Sequence, residues 1–365
     1  MRVLIFSASI GEGHDLPARV LADDLADLDP GGEVEIVDSL AAVGWPVGPI
    51  VLNSSPFFSE WGNRVFELEF WLVTRVAAAR AVGGAIASGF TRRRILALLD
   101  ARRPDVIVST YPGITELLGR WRAQGRVRAP VVSAITDLAA LRFWAHPAVD
   151  VHLVTHPESA QEVRSIAPAS RIVPVRGLNS PEFLVPRDQR DARRALDLPE
   201  AGRLVVVSGG GWAVGDLGGA VEAALALADT FVVALCGRNE TVHADLEGRF
   251  GADPRVHVWG FTEQMSDLLA AADALVHSTA GLTVLEAHVR GCPIVSYGWG
   301  RGHIRANNLA FVRFGLADVA NDRGELRAAL ARALRARGEP DLSFARLPTA
   351  ASVVLEAGAP GSLAP

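Results

Sequence analysis

The sequence predicts an α/β protein of two doubly wound, Rossmann-like domains facing a central cleft. Three observations predict it. Short β-branched runs alternate with Ala-, Leu- and Arg-rich segments of helical period, the pattern of a parallel sheet covered on both faces. The 365 residues, 49% of them hydrophobic, hold apolar material for two cores of ordinary size. The alternation also breaks at residues 177–202, a stretch rich in Pro, Asp and Arg, and then begins afresh.

In the first series, strands are expected near Arg2–Ala8, Glu33–Asp38, Asp105–Tyr111, Pro130–Asp137, Val151–His156 and Arg171–Arg176. A helix from about Leu16 to Leu28 follows the first strand. The second series is expected near Leu204–Ser208, Phe231–Cys236, Arg255–Trp259, Ala274–His277, Pro293–Tyr297 and Leu316–Ala320. Domain 1–176 is thus followed by a linker, 177–202, holding one short helix. Domain 203–345 comes next, and 346–365 is read as a helix near Thr349–Glu356 with a mobile Gly/Pro/Ala tail. No repeat of 20–50 residues points to a solenoid.

Composition narrows the chemistry. All 36 basic side chains counted as Lys or Arg are Arg, which excludes a pyridoxal phosphate Schiff base, a P-loop lysine and any lysine base. A net charge of −5 argues against a nucleic-acid binder. Cys236 and Cys292 lie in separate apolar segments and give no metal-ligand spacing. The chain opens directly on a strand pattern, and no apolar stretch reaches membrane-spanning length without Arg or Asp. A cytoplasmic protein is expected, able to touch a membrane only from its surface.

Ligands of doubly wound sheets bind beyond the carboxyl ends of the strands, so the residues after each strand carry the argument. After the first comes Ser7-Ala-Ser-Ile-Gly-Glu-Gly-His14. Gly11 and Gly13 permit a tight turn whose amides, backed by a helix N-terminus, could face an anion or polar substrate, with His14 able to act as a general base. A Rossmann turn in which His14 only caps the helix fits the spacing equally well. The one Asp-x-Asp, Asp27-Leu-Asp29, ends a helix and reads as a solvated corner.

The second half opens on Val205-Val-Val-Ser-Gly-Gly-Gly-Trp212, where Gly209, Gly210 and Gly211 would let backbone amides approach a diphosphate. A glycine turn used only for packing is the alternative. His277-Ser-Thr-Ala-Gly-Leu-Thr-Val-Leu-Glu-Ala287 again passes from strand through small residues to helix. Ser278, Thr279 and Thr283 offer hydroxyls beside the amides of Ala280, Gly281 and Leu282, a second phosphate clamp. Glu286, one turn into the helix, could take both hydroxyls of a ribose, or be an ordinary solvated residue. In Gly298–Asn308, His303 and Asn307 supply polar groups able to read a sugar.

Taken in order, Gly-Glu-Gly-His at 11–14, Ile135-Thr-Asp137, Trp144-Ala-His-Pro147, Cys236-Gly-Arg-Asn-Glu240, Gly260-Phe261, Gly281-Leu-Thr283 and Glu286 form a set. Over residues 2 to 320 this set resembles the glycosyltransferases that make glycosyl-diacylglycerols, a group that includes the transferase forming peptidoglycan lipid II. The resemblance implies a GT-B fold, a UDP-sugar co-substrate in the C-terminal domain, an acceptor in the N-terminal domain, and no metal or other cofactor. Gly209–Gly211 and Ser278–Gly281 would line the diphosphate, Arg238 and Phe261 would sit near the base, and Glu286 would hold the ribose. His14 would be the catalytic base, with Asp137 its neighbour and rival, and Gly11, Gly13, Trp144 and His146 on the acceptor side.

The chain departs from the family at Ala280-Gly281, where Gly-Gly is usual. It has Gly302-His-Ile304 in place of a Gly-Gln-Glu sugar-reading motif, and Leu141 where a His stands. Backbone amides and helix N-termini can meet the charge on a departing nucleoside diphosphate, so direct displacement with inversion needs no ion.

The expected acceptor is a lipid or lipid-like alcohol. Trp45, Phe57, Phe58, Trp61, Phe66, Phe70, Trp71 and Phe90 crowd into one segment closed by Arg92-Arg-Arg94, which suits a peripheral contact with an anionic membrane. Their one-turn spacing suits a helix core equally well. Competing functions on the same fold are a transferase for a soluble natural-product aglycone, a UDP-sugar epimerase and a non-catalytic nucleotide-sugar binder.

Overall fold

The computed structural model describes residues 1–10, 12–54, 77–139, 141–279, 281–298 and 302–361. They form two compact units, the first of residues 1–179 with 346–365 and the second of residues 180–345.

All twelve expected strands are present. In the first unit β1 (Arg2–Ser7), β2 (Glu33–Asp38), β3 (Val106–Ser109), β4 (Val131–Ile135), β5 (Val151–Val154) and β6 (Arg171–Pro174) form one parallel sheet of order β2-β1-β3-β4-β5-β6. Ile5 pairs with Ile36 on one side and Val108 on the other. Alternate residues of β1 serve opposite layers, as strand geometry requires. Val3 and Ile5 pack with Leu21 and Leu25 of the helix Glu12–Leu28 and with Val353 and Val354 of the helix Ala350–Gly358. Leu4 and Phe6 pack on the other face with Ile95 and Leu99 of the helix Ala77–Arg102 and with Trp121 of Pro112–Ala123. Both faces are covered, which explains the nearly unbroken apolar runs.

The second unit repeats the plan. Strands β7 (Arg203–Ser208), β8 (Thr230–Leu235), β9 (Val256–Trp259), β10 (Ala274–His277), β11 (Ile294–Tyr297) and β12 (Asp318–Ala320) form a parallel sheet of order β12-β11-β10-β7-β8-β9. In each sheet the strand order reverses beside the first strand of the series, between β1 and β3 and between β7 and β10. Such reversals open a crevice at the carboxyl ends of the strands.

The domain boundaries differ from the sequence reading at two places. From Ser180 onward the expected linker belongs to the second unit. Its helix Gln189–Ala195 sends the buried Arg193 to Asp273 at 2.7 Å and to the carbonyl oxygens of Ala271, Glu200 and Gly202. The carboxylate of Asp273 also accepts the Leu204 N–H, at 2.7 Å, at the start of β7. Arg193→Ala would leave this carboxylate, which keeps some contact with water, with only the neutral donors of Leu204 and Gln189. We expect a loss of about 2 kcal/mol in urea unfolding, moderated from the larger loss typical of a fully buried pair.

The helix read at the C-terminus returns to the first unit: the Arg176 N–H donates to the Pro348 carbonyl at 3.0 Å, and the Ala350 N–H to the Arg176 carbonyl at 2.7 Å. Residues 362–365, the end of the expected tail, lie outside the described residues.

Candidate active site

In the first unit the residues after β1, β3 and β4 meet at the strand-order reversal. The helix after β1 starts at Glu12, four residues earlier than expected, so Gly13 and His14 are in its first turn instead of a glycine loop. An added Cβ at Gly13 would meet nothing within 4 Å, and no close backbone approach depends on that glycine. Gly11 lies outside the described residues.

His14 Nδ1 lies 2.9 Å from the carbonyl oxygen of Thr110, just after β3, and the Thr110 hydroxyl donates to the His14 carbonyl at 3.0 Å. A carbonyl only accepts, so Nδ1 carries the proton and Nε2 is the basic atom of the neutral ring. The ring stands edge-on to Tyr111 at 5.2 Å and tilted against Trp144 at 5.7 Å between centroids. Trp144 in turn donates its indole N–H to Asp137 Oδ2 at 2.8 Å.

His14 and Asp137 are therefore joined through an indole, and the group that orients His14 is a backbone carbonyl. Trp144 is 2% exposed, so it supports these two residues and offers almost no surface to an acceptor. His146 packs its ring against Gly119 and accepts the Ala148 N–H at Nδ1 over 3.1 Å, which ties it to the scaffold. Thr110 and Tyr111 escaped the sequence reading. Their signal was a strand end, Thr-Tyr-Pro, whose place beside β1 only the sheet order supplies.

In the second unit two turns meet beyond β7 and β10. Gly210 has φ +69°, and a Cβ built there would lie 3.0 Å from Thr279 Oγ1. Gly237, with φ +55°, sits so close to the Gly211 carbonyl that any Cβ would clash, which lets the end of β8 close on the same turn. The Arg238 N–H completes that contact by donating to the Gly211 carbonyl at 2.8 Å. Ser278 is buried and donates its hydroxyl to the Val214 carbonyl. Its side chain locks the two turns together instead of offering a phosphate ligand.

The helix Leu282–Val289 begins behind Gly281 without a side-chain cap, leaving amide donors at its N-terminus. Thr283 is half-buried in its first turn, and Leu282 is buried. Ala280 lies outside the described residues, as does the side chain of His303 at the start of the helix Gly302–Phe314. Asn307 is wholly buried, which takes it off the surface where a sugar could be read.

Glu286 is 5% exposed, and its carboxylate makes no hydrogen bond among the described residues. Burial pushes its pKa up to about 7. Nearby in sequence order, the ends of β8 and β9 bring Arg238 and Phe261 together, with the guanidinium 3.8 Å above the ring centroid and both side chains exposed. Such a stacked pair offers a flat, cationic edge to an aromatic base.

Residues 76–178 match the family model for monogalactosyldiacylglycerol (MGDG) synthase, and residues 202–335 match that for glycosyl transferases group 1. The chain is 25% identical over 338 residues to the processive diacylglycerol beta-glucosyltransferase of Bacillus thuringiensis (strain Al Hakam), covering 90% of this chain and 84% of that protein. The protein of the same name from Bacillus cereus (strain AH187) is 26% identical over 339 residues, with the same coverage.

Among solved structures, the glycosyltransferase SnogD from Streptomyces nogalater superposes with a TM-score of 0.58 at 20% identity, covering 98% of both chains. MurG of Acinetobacter baumannii does so at 0.56 and 16% identity, over 97% of this chain and 99% of its own. The chain has the GT-B fold and is a glycosyltransferase. As in the sequence reading, this glycosyltransferase carries one Rossmann-like sheet in each unit.

On this glycosyltransferase the aromatic segment is described in part. Trp45 is exposed, and Val82, Ile86 and Phe90 form an exposed stripe at one-turn spacing on Ala77–Arg102, followed by exposed Arg92 and Arg93. Phe57, Phe58, Trp61, Phe66, Phe70 and Trp71 lie outside the described residues. Among the described residues no helix is long and apolar enough to cross a membrane.

Proposed function

We propose that this glycosyltransferase moves a hexose or N-acetylhexosamine from a UDP-sugar to a hydroxyl of a lipid or lipid-like acceptor, with inversion and without a metal ion. The observation that carries the reading is the convergence beyond β7 and β10. There two small-residue turns and an uncapped helix N-terminus lie in the same unit as a buried carboxylate without a partner. The amides suit a diphosphate, whose charge grows as the sugar leaves. A pair of ribose hydroxyls suits Glu286, because two donors would satisfy a carboxylate that the protein leaves unsatisfied. Arg238 and Phe261 would flank the base.

The acceptor side is the cluster at the reversal between β1 and β3. His14 Nε2 takes the proton of the acceptor hydroxyl as the oxygen attacks the anomeric carbon and the nucleoside diphosphate departs. Asp137, which accepts the Trp144 indole N–H, fixes the ring against which His14 is tilted. A lipid acceptor is supported by the names of the Bacillus relatives and by the apolar stripe beside Arg92 and Arg93, which suits an anionic membrane surface.

The test is a panel of UDP-, GDP- and dTDP-sugars offered with a mixed lipid extract in excess EDTA. UDP release that requires the lipid is the expected result. UDP-sugar turnover without an acceptor would identify an epimerase instead, and complete Mg²⁺-reversible loss in EDTA would remove the metal-free reading.

A further inference from the structure

His277 closes β10 with its ring 1% exposed. Nε2 lies 3.0 Å from the Thr279 hydroxyl, whereas Nδ1 has no hydrogen-bond partner among the described residues. Burial pushes the pKa of the ring down to about 4, against a smaller upward pull from the Ser208 backbone. The ring is therefore neutral at neutral pH and carries one proton. A buried polar atom without a partner costs on the order of 1–3 kcal/mol, and an apolar side chain would fill a parallel-strand interior without that cost. Stability alone gives no reason for a histidine here. Thr279 is half-buried, and its oxygen faces the glycine turn, 3.0 Å from where a Cβ on Gly210 would lie.

We propose that His277 is a positioning residue for the donor's diphosphate. Its Nε2–H donates to Thr279 Oγ1, which fixes the hydroxyl and leaves the threonine O–H to donate to a phosphate oxygen above Gly210. Nδ1 makes no hydrogen bond among the described residues, so the one proton of the ring is placed on Nε2. This inference rests on the donor reading given above, and goes beyond it in assigning to a strand-end histidine the orientation of the Thr279 hydroxyl toward the phosphate.

Calorimetry on the full chain with UDP and with uridine tests it. The wild type should bind UDP more than tenfold tighter than uridine. His277→Leu and Thr279→Val should each weaken UDP about tenfold while leaving uridine within twofold, and the double variant should be no worse than either single one. His277→Gln, which carries an N–H near the Nε2 position, should recover most of the loss, and His277→Asn, which is too short, should not. The Tm of His277→Leu should be unchanged or raised, where a merely structural residue would lower it.

Unchanged UDP affinity in Thr279→Val, or losses that add in the double variant, would overturn the inference while the donor reading stands. A wild type that binds uridine as tightly as UDP would overturn the donor reading and this inference together. If His277→Leu fails to fold, the Gln and Asn pair decides the matter in the same way.

Discussion

His14→Ala is expected to lower the rate of sugar transfer by about 10²–10⁴ and to leave UDP affinity nearly unchanged. The rate falls because Nε2 is the basic atom of a ring already oriented through Nδ1 to the Thr110 carbonyl at 2.9 Å. UDP affinity survives because the proposed nucleotide site belongs to the other unit. The substitution should cost little in folding, since the threonine hydroxyl bonds the His14 carbonyl oxygen, a backbone atom, and that contact remains. The pH–rate profile of the wild type should show one group that must lose its proton, and His14→Ala should remove that limb.

Asp137 is the rival base, and the geometry gives it a different part. One of its oxygens is committed to the Trp144 indole at 2.8 Å. Asp137→Asn should therefore slow transfer less than His14→Ala. If instead Asp137→Asn abolishes transfer and His14→Ala is mild, the two roles must be exchanged.

Glu286→Gln is expected to weaken UDP by about 10- to 100-fold and, at pH 8, to stabilise the unliganded protein. The two effects have opposite sign because they share one cause. The folded carboxyl has its pKa pushed up to about 7 from an ordinary 4.5. Between those values the folded state holds a proton that the unfolded state has released, so stability is full below about 4.5 and is lost as the pH rises toward 7. Above 7 the whole cost of burying the charge is present, on the order of 3 kcal/mol. Glutamine removes that cost.

It also removes the carboxylate that would accept two ribose hydroxyls, and hydrogen bonds to a charged acceptor are the stronger kind. UDP should accordingly bind the wild type more tightly as the pH rises through 7, and the glutamine variant should lose this dependence. A UDP analogue lacking both ribose hydroxyls should bind the two proteins alike. Equal losses for UDP and for the analogue would show that Glu286 acts only through packing.

The eight inner strands were legible because they are buried and so are spelled as nearly continuous apolar runs, a property of neighbouring residues; the four edge strands, β2, β6, β9 and β12, are only half-buried and were legible from short β-branched runs between turns. The glycine-bearing turns, the absence of lysine and the acidic residue one turn into a helix were legible for the same local reason. Sequence alone therefore determined the α/β class, the two series of strands and the strand ends where ligands belong.

Only the tertiary structure decided which ends meet. Thr110 orients His14 from 96 residues away, and a pairing across that separation leaves no periodicity to read. Burial decided the rest. It drew Ser278 into the lock between two turns, withdrew Trp144 and Asn307 from the surface, and folded 180–202 and the helix Ala350–Gly358 onto opposite units. A side chain's role depends on what it meets and on how much water it keeps, and both are fixed by contacts between distant parts of the chain.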